Sequence, residues 1–421
     1  MRVLAAIVIP PHMSASGAVR AGERLSAELS RHCDVTVASM MNGKAVDRRI
    51  KDIGSVERLE IRSRLPPLLP WSRIPQGYGT PFYSSDIPDI VRRERFDLVH
   101  IHNPMPGLEM ERVGNACRQR GIPYVISTHG YNEIANGEAI HRFSVARRLA
   151  WRTLVSDPVR RVTANADGVF ALSPADVAIV RRMGFEGEIS IVTNGVDLPL
   201  ENASATDEAA LHRYAIPPRG EDDVPTFMFL ANHTPNKGLP VLLEAFRGVR
   251  SPYRLILGGE QRGGIDYDGA RKACGPGQEI IVTGRLEDEE VSALLRRSDL
   301  FVFPTLADTL PLVVLEAMAH GKPVLASRVG GIPFQLDGES GVLVPPGDPA
   351  VLAAEIERLA RSPDRLAEMG RHARARVEAH FTWPIAAQQA LAGYERVLRR
   401  EVRVPARSRS RLLPLQQDTL G

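Results

Sequence analysis

The sequence predicts an α/β protein built from two doubly wound parallel sheets that face each other across a central cleft. Three observations carry this expectation. Short β-type runs recur along the chain, each followed by a longer helical pattern, which is the signature of βαβ units and a parallel sheet. The scheme occurs twice, on either side of a segment from Leu198 to Pro225 that is rich in Pro, Ala and charge and has no strand pattern. A long helical stretch after Thr382, through Trp383 and Tyr394 to Arg400, has no strand to follow and is expected to cross back and brace the first half.

In the first half the strand-like runs are "RVLAAIVI", "DVTVASM", "DLVHIHN", "PYVIST", "GVFALS" and "ISIVTN". Helical patterns lie between them, as from Gly22 to Arg31, where Leu25 and Leu29 share a face. The second half repeats the scheme with "TFMFLAN", "RLILGG", "EIIVTG", "LFVFPT", "PVLAS" and "GVLVPP". The expected organisation is a Rossmann-like first domain over 1–197 completed by a helix over 385–400, a linker over 198–225, and a Rossmann-like second domain over 226–384. The basic end over 402–421, "VRVPARSRSRLLPLQQDTLG", with its scattered Arg and Pro, is expected to be disordered. In such folds the ligand site lies at the carboxyl ends of the strands, here in the cleft between domains.

A chain of 421 residues with 43% hydrophobic content can bury a core in each of two or three domains. Its 53 basic and 50 acidic residues nearly balance, which does not indicate a nucleic-acid partner. Cys33, Cys117 and Cys274 are odd in number and far apart, excluding a disulfide framework and a CxxC-type metal site and fitting a reducing cytosol. The opening "MRVLAAIVIPPH" lacks a small-residue cleavage site and reads as a buried first strand. No uncharged apolar run approaches the roughly 20 residues that a membrane helix needs.

The most informative stretch is "FPTLADTLPLVVLEAMAHGKPVLASRVGGIPF", Phe303 to Phe334. A strand, "FVFP", leads through the loop "TLAD" into a helix, "LPLVVLEAMAHG", with Thr309 in the N-cap region, Pro311 near its first position and Gly321 after its last turn. The free N–H groups around Leu312 and Val313, with the positive dipole end, make a phosphate site. Asp308 and Glu316 flank it, and carboxylates accept hydrogen bonds from sugar or ribose hydroxyls. An isolated pair of such acids more often caps and solvates a helix. The second tight turn at Gly330 and Gly331, bringing bare backbone to the same place, favours a nucleotide-sugar site. In "FLANHTPNKGLPVLLEAF", Lys237 stands at the mouth of a strand as the expected point charge for a diphosphate, although a lone loop Lys is commonly a surface residue.

These motifs resemble glycosyltransferase family 4, the retaining enzymes of the two-domain GT-B architecture, from about Arg2 to Leu398. The specific feature is the acid-x7-acid pair Asp308 and Glu316 with the following "EAMAHGKPV" and "VGGIP" segments. The supporting ones are "DLVHIHN", "VISTHG", "ADGVFALSP", "IVTNGVD", "NKG" and "VLVPPGDP". The resemblance implies that Glu316 holds the donor ribose and Asp308 the hydroxyls of the transferred sugar. It implies that Lys237 neutralises the diphosphate, helped by the Leu312 and Val313 N–H groups, and that His129 touches the sugar near its reacting carbon. Gly17, in "SASGAVRAG", matches the family's glycine-rich loop, and the nucleobase is expected against the backbone around Gly284 and Arg285. Three positions depart from the pattern: Asp308 stands where Glu is usual, Asn232 where an Arg commonly precedes the Lys, and Ser16-Gly17 where the family has a double glycine.

Other signals are weaker. A lone His at a strand end, as His129 is, is often structural, but its place opposite the phosphate site favours function. His100 and His102 share one face of a strand without a third ligand nearby in sequence, and read as structural or cleft-lining. Asp266-Tyr267-Asp268 resembles a metal-binding D-x-D by chance, and the dinucleotide fingerprint G-x-G-x-x-G is absent, which disfavours a dehydrogenase. The segment "IHRFSVARRLAWRTLVSDPVRR" puts Phe143, Ala146, Ala150 and Leu154 on one stripe with Arg residues mostly elsewhere. It fits an anionic membrane surface and a helix packed on the first domain equally well. "RSRLPPLLPWSRIP", Arg62 to Pro75, adds Trp71 to the same domain.

The expected activity is therefore a metal-independent, retaining hexosyl- or related glycosyltransferase. It would move a sugar from a UDP- or GDP-type donor to a sugar or lipid-linked acceptor in envelope polysaccharide or glycolipid synthesis. No cofactor or bound metal is expected. The expected location is the cytoplasm, with peripheral attachment at the inner face of the membrane as an extension. A nucleotide-sugar epimerase of the same architecture, or a non-catalytic scaffold with a degenerate cleft, are the alternatives.

Overall fold

Both sheets are covered on their two faces, so their strands are near-continuous apolar runs that bury both sets of side chains. The computed structural model describes residues 1–10, 17–40, 56–59, 61–67, 79–103, 105–141, 143–199, 205–220, 223–262 and 264–403. The tail beyond Arg403, Trp71 with its neighbours, and Ser16 lie outside these residues.

The first sheet has seven parallel strands in the order Glu57–Leu59, Asp34–Ser39, Arg2–Ile7, Leu98–His102, Tyr124–Ser127, Gly168–Ala171, Ile189–Ile191. The second has six, in the order Gln278–Gly284, Tyr253–Gly258, Thr226–Leu230, Leu300–Phe303, Val324–Ser327, Gly341–Val344. In each sheet the chain winds outward from its first strand, then returns to that strand's other side. The topological switch points therefore lie between Arg2–Ile7 and Leu98–His102, and between Thr226–Leu230 and Leu300–Phe303. Loops diverge there and leave a crevice.

Strand alternation divides the first domain's core. Leu4, Ala6 and Val8 face one layer, and Val3, Ala5 and Ile7 face the other. The C-terminal helix, Trp383–Arg403, completes the second layer as expected: Trp383, Ala386, Ala390 and Tyr394 pack with Phe170, Val125 and Leu25. The chain crosses between domains where the Val196 N–H donates to the Phe381 carbonyl at 2.8 Å. Gly195 fits there because a Cβ would lie 2.5 Å from the Trp383 nitrogen.

Two features differ from the sequence reading. The segment over 198–225 holds a helix, Ala205–Arg213, that packs on the helix Asp288–Arg297; Asp207 pairs with Arg296, and Tyr214 Oη donates to Glu290 at 3.0 Å. It belongs physically to the second domain. The edge strand Glu57–Leu59 was invisible in sequence because its three residues, Glu-Arg-Leu, carry no apolar run.

Candidate active site

The two halves enclose a cleft of about 940 Å3 at the strands' carboxyl ends. Gly17, His129, Lys237, Arg285, Asp308, Leu312, Val313 and Glu316 all line it, so residues up to 299 positions apart in sequence meet at one place. Lys237 follows Thr226–Leu230 and Asp308 follows Leu300–Phe303, one on each side of the second switch point.

Lys237 sits in a short 3-10 turn, Pro235–Lys237, closed by Gly238 at φ 75°. A side chain at Gly238 would place its Cβ 1.8 Å from the Pro304 carbonyl oxygen, so only glycine allows the lysine loop to lie against the acid loop. Lys237 Nζ then donates to both Asp308 carboxylate oxygens, at 2.8 and 2.9 Å. Thr305 Oγ1 donates to Asp308 Oδ2 at 2.7 Å and fixes the carboxylate from below. The residues expected to meet the phosphate and the sugar, Lys237 and Asp308, thus form one ion pair.

The helix expected to meet the phosphate begins later than the sequence suggests. It runs Leu312–Ala319 with Pro311 as its N-cap and no side-chain cap, because the chain stays extended through Pro311 (ψ 127°). Thr309 is not the cap. The first-turn amides, from Leu312 and Val313 onward, consequently have no intrahelical acceptor and open on the cleft. Asn194 Nδ2 donates to the Leu310 carbonyl at 2.8 Å and Gln335 Nε2 to that of Pro311 at 2.9 Å, which hold the approach to the helix. Gly330, at φ 51°, packs its backbone on Asp308, and the Gly331 N–H donates to Thr309 at 2.6 Å.

Glu316, one turn into the helix, is mostly buried and receives Arg20 of the first domain at 3.0 Å. Gly17 begins the helix Gly17–Leu29 that carries Arg20, and faces Leu312 across the cleft. Asn132 Nδ2 reaches the Asp308 carbonyl at 3.3 Å. Sequence reasoning assigned no role to Arg20, Asn132 or Asn194. Asn194 lies in the quoted motif "IVTNGVD", and Arg20 lies one helical turn after Gly17; those offsets were the available signals.

His129 ends the strand Tyr124–Ser127 at the cleft, and burial lowers its pKa from 6.5 to about 4. It is a neutral imidazole at ordinary pH, able to donate or accept a hydrogen bond but not to act as a charge. Behind it lie His102, with ring centroids 5.8 Å apart, and His100, a further 3.9 Å away from His102. His100 is structural: Tyr394 Oη and Ser127 Oγ hold its two nitrogens at 2.7 Å each. His102 is wholly buried beside Gly22, so neither histidine lines the cleft. Asp266 caps its own helix by accepting from the Gly269 N–H at 2.8 Å, which accounts for that residue of the D-x-D.

Two family models match the chain, one described as Glycosyltransferase Family 4 over residues 15–199 and the other as Glycosyl transferases group 1 over residues 224–362. The chain belongs to glycosyltransferase family 4. The chain is similar to D-inositol 3-phosphate glycosyltransferase 2 of Catenulispora acidiphila, 28% identical over 318 residues, covering 72% of this chain and 71% of the relative. D-rhamnosyltransferase WbpZ of Pseudomonas aeruginosa is 27% identical over 290 residues, covering 68% and 70%. Among solved structures, Anabaena Alr3699/HepE in complex with UDP-glucose superposes with a TM-score of 0.68 at 20% identity, covering 94% of this chain and all of that one. WaaG, a glycosyltransferase involved in lipopolysaccharide biosynthesis, gives 0.65 at 15% identity, covering 93% and 99%. The fold of this glycosyltransferase is GT-B.

Proposed function

We propose that this glycosyltransferase takes a nucleoside diphosphate sugar, of UDP or GDP type, and passes the sugar to an acceptor hydroxyl with retention at the anomeric carbon and without a metal ion. The observation that carries the reading is the convergence of Lys237 and the uncapped first turn of Leu312–Ala319 on one cleft, flanked by Asp308 and Glu316. A diphosphate placed there meets an ammonium and free amides, which stabilise the charge that develops as the C1–oxygen bond breaks. Lys237 has three N–H donors, so it can keep Asp308 while turning to the phosphate. Asp308 has lone pairs left for sugar hydroxyls, and Glu316 takes the ribose once Arg20 yields it. The neutral His129 touches the sugar near C1.

In this reading the acceptor oxygen attacks C1 from the face the phosphate leaves as the C1–oxygen bond breaks, and its proton passes to the departing phosphate oxygen. The closing contacts Asn132 to Asp308 and Asn194 to Leu310 narrow the cleft and limit hydrolysis. The proposed acceptor is a sugar or a lipid-linked hydroxyl in envelope polysaccharide or glycolipid synthesis, supported by the kinds of protein that the chain resembles. Among the described residues no helix is long and apolar enough to cross a membrane.

The test is to incubate the purified protein with UDP-glucose or GDP-mannose in EDTA, following nucleotide release and the first-formed anomer of the sugar by NMR. Slow release of the retained anomer supports the proposal. Release of the inverted anomer refutes retention. Isomerisation without release would make the protein an epimerase, and no binding of these or other nucleotide sugars, with no turnover when sugar acceptors are added, would make it a scaffold.

A further inference from the structure

The helix Val145–Trp151 has no buried residue, although its sequence, VARRLAW, is largely apolar apart from two arginines. Val145 is 75% exposed and Leu149 64%, the two most exposed large hydrophobic side chains among the described residues. They are one helical turn apart on the same face. Arg148 and Arg152, at the third and seventh positions after Val145, fall on that face too, and both are exposed. From Ala139 to Ser156 the sequence has four arginines and no acid; Asp157, just past that run, lies 3.8 Å from Arg152, whose side chain stays exposed. The opposite stripe expected to be apolar does not form a covered face: Ala146 and Ala150 are exposed, and only Phe143 and Leu154 are partly buried. Phe143 packs with Trp151, ring centroids 5.3 Å apart, and so braces the helix from within.

We infer that the face formed by Val145, Arg148, Leu149 and Arg152 docks on an anionic phospholipid surface, with the two aliphatic side chains in the acyl boundary and the two guanidinium groups among the phosphates. Apolar residues placed between exposed arginines, with no acid in the run, match the interfacial binding mode in both hydrophobicity and charge. A protein partner's apolar groove would match Val145 and Leu149 but would leave both arginines to be desolvated. The position also fits. The preceding helix, Tyr131–His141, starts two residues after His129 with Asn132 and Glu133 in the cleft, so the docking face is connected to the acceptor side by one short helix. The inference draws its purpose from the proposed lipid-linked acceptor, but its test does not read sugar transfer, so the two fail separately.

The test is co-sedimentation of the full chain with vesicles of phosphatidylcholine alone and with added phosphatidylglycerol at low salt. The wild type is expected to pellet with the anionic vesicles only. Arg148→Glu with Arg152→Glu, and separately Val145→Ser with Leu149→Ser, are each expected to weaken that association about tenfold or more. Melting temperature and UDP-glucose turnover in solution should stay unchanged, because all four side chains are exposed. Failure of the wild type to bind anionic vesicles, or equal binding by both variants, overturns the inference. A wild type that is dimeric in solution, with a monomeric Val145→Ser, Leu149→Ser variant, also overturns it and makes the face a subunit contact.

Discussion

At the residue scale, the site is a set of charges that neutralise one another. Lys237 pairs with Asp308, and Arg20 with Glu316, at the positions that the proposed donor would enter. Replacing Lys237 with Ala should lower turnover about 100-fold or more by removing charge stabilisation of the leaving group. Glu316→Gln keeps an acceptor for a ribose hydroxyl but releases Arg20. Nucleotide affinity, read by calorimetry, should then change by about tenfold or less, the size of one hydrogen bond to a charged group. An unchanged turnover in Lys237→Ala would remove that residue from the mechanism. The acids and the lysine were legible in sequence because their spacing belongs to single loops. The partners Arg20, Asn132 and Asn194 were not, because each acts across the interdomain cleft and no local pattern encodes that pairing.

At the scale of elements, tight glycines let the functional loops approach. Gly330→Ala would drive a Cβ to 1.8 Å from the Asp308 carbonyl oxygen, and at a positive φ. It should cost about 1–3 kcal/mol of stability and displace Asp308, reducing turnover more than a surface substitution would. Tyr394→Phe removes the hydrogen bond between the C-terminal helix and His100 Nδ1, leaving a buried imidazole nitrogen unsatisfied. A loss of about 1–3 kcal/mol is expected in denaturant unfolding, with the cleft residues untouched. Strands were readable because buried parallel strands are plain apolar runs. The helix within 198–225 was not, since its hold on the second domain comes from Asp207, Tyr214 and a few buried side chains rather than from an apolar period. The start of the helix Leu312–Ala319 was misplaced because Thr309 looks like a cap, whereas the chain is held extended past it.

At the scale of the whole molecule, burial of imidazoles sets the response to acid. Burial lowers His100 from 6.5 to about 3 and His129 and His320 from 6.5 to about 4, and pushes His102 down as well. The unfolded chain binds protons below about pH 6.5 while the folded chain does not, so stability falls as pH drops from there towards about 4. Each such histidine should cost about 1 kcal/mol between pH 6.5 and about 5.5, visible as a falling melting temperature. Asp176 opposes the trend: burial raises it from 3.8 to about 6, so its penalty at neutral pH is relieved as pH falls through that range. Asp176→Asn should therefore steepen the net acid loss. A flat stability profile from pH 7 to 5 would contradict the buried neutral histidines.

The central claim is that the two domains close on a nucleoside diphosphate held by Lys237 and the first turn of Leu312–Ala319. The most direct test is calorimetric titration of UDP and GDP, in EDTA, into the wild type and Lys237→Ala. One nucleotide is expected to bind the wild type, and the variant is expected to bind it about tenfold or more weakly. Equal affinities in the two proteins, or no heat from either nucleotide, would contradict it.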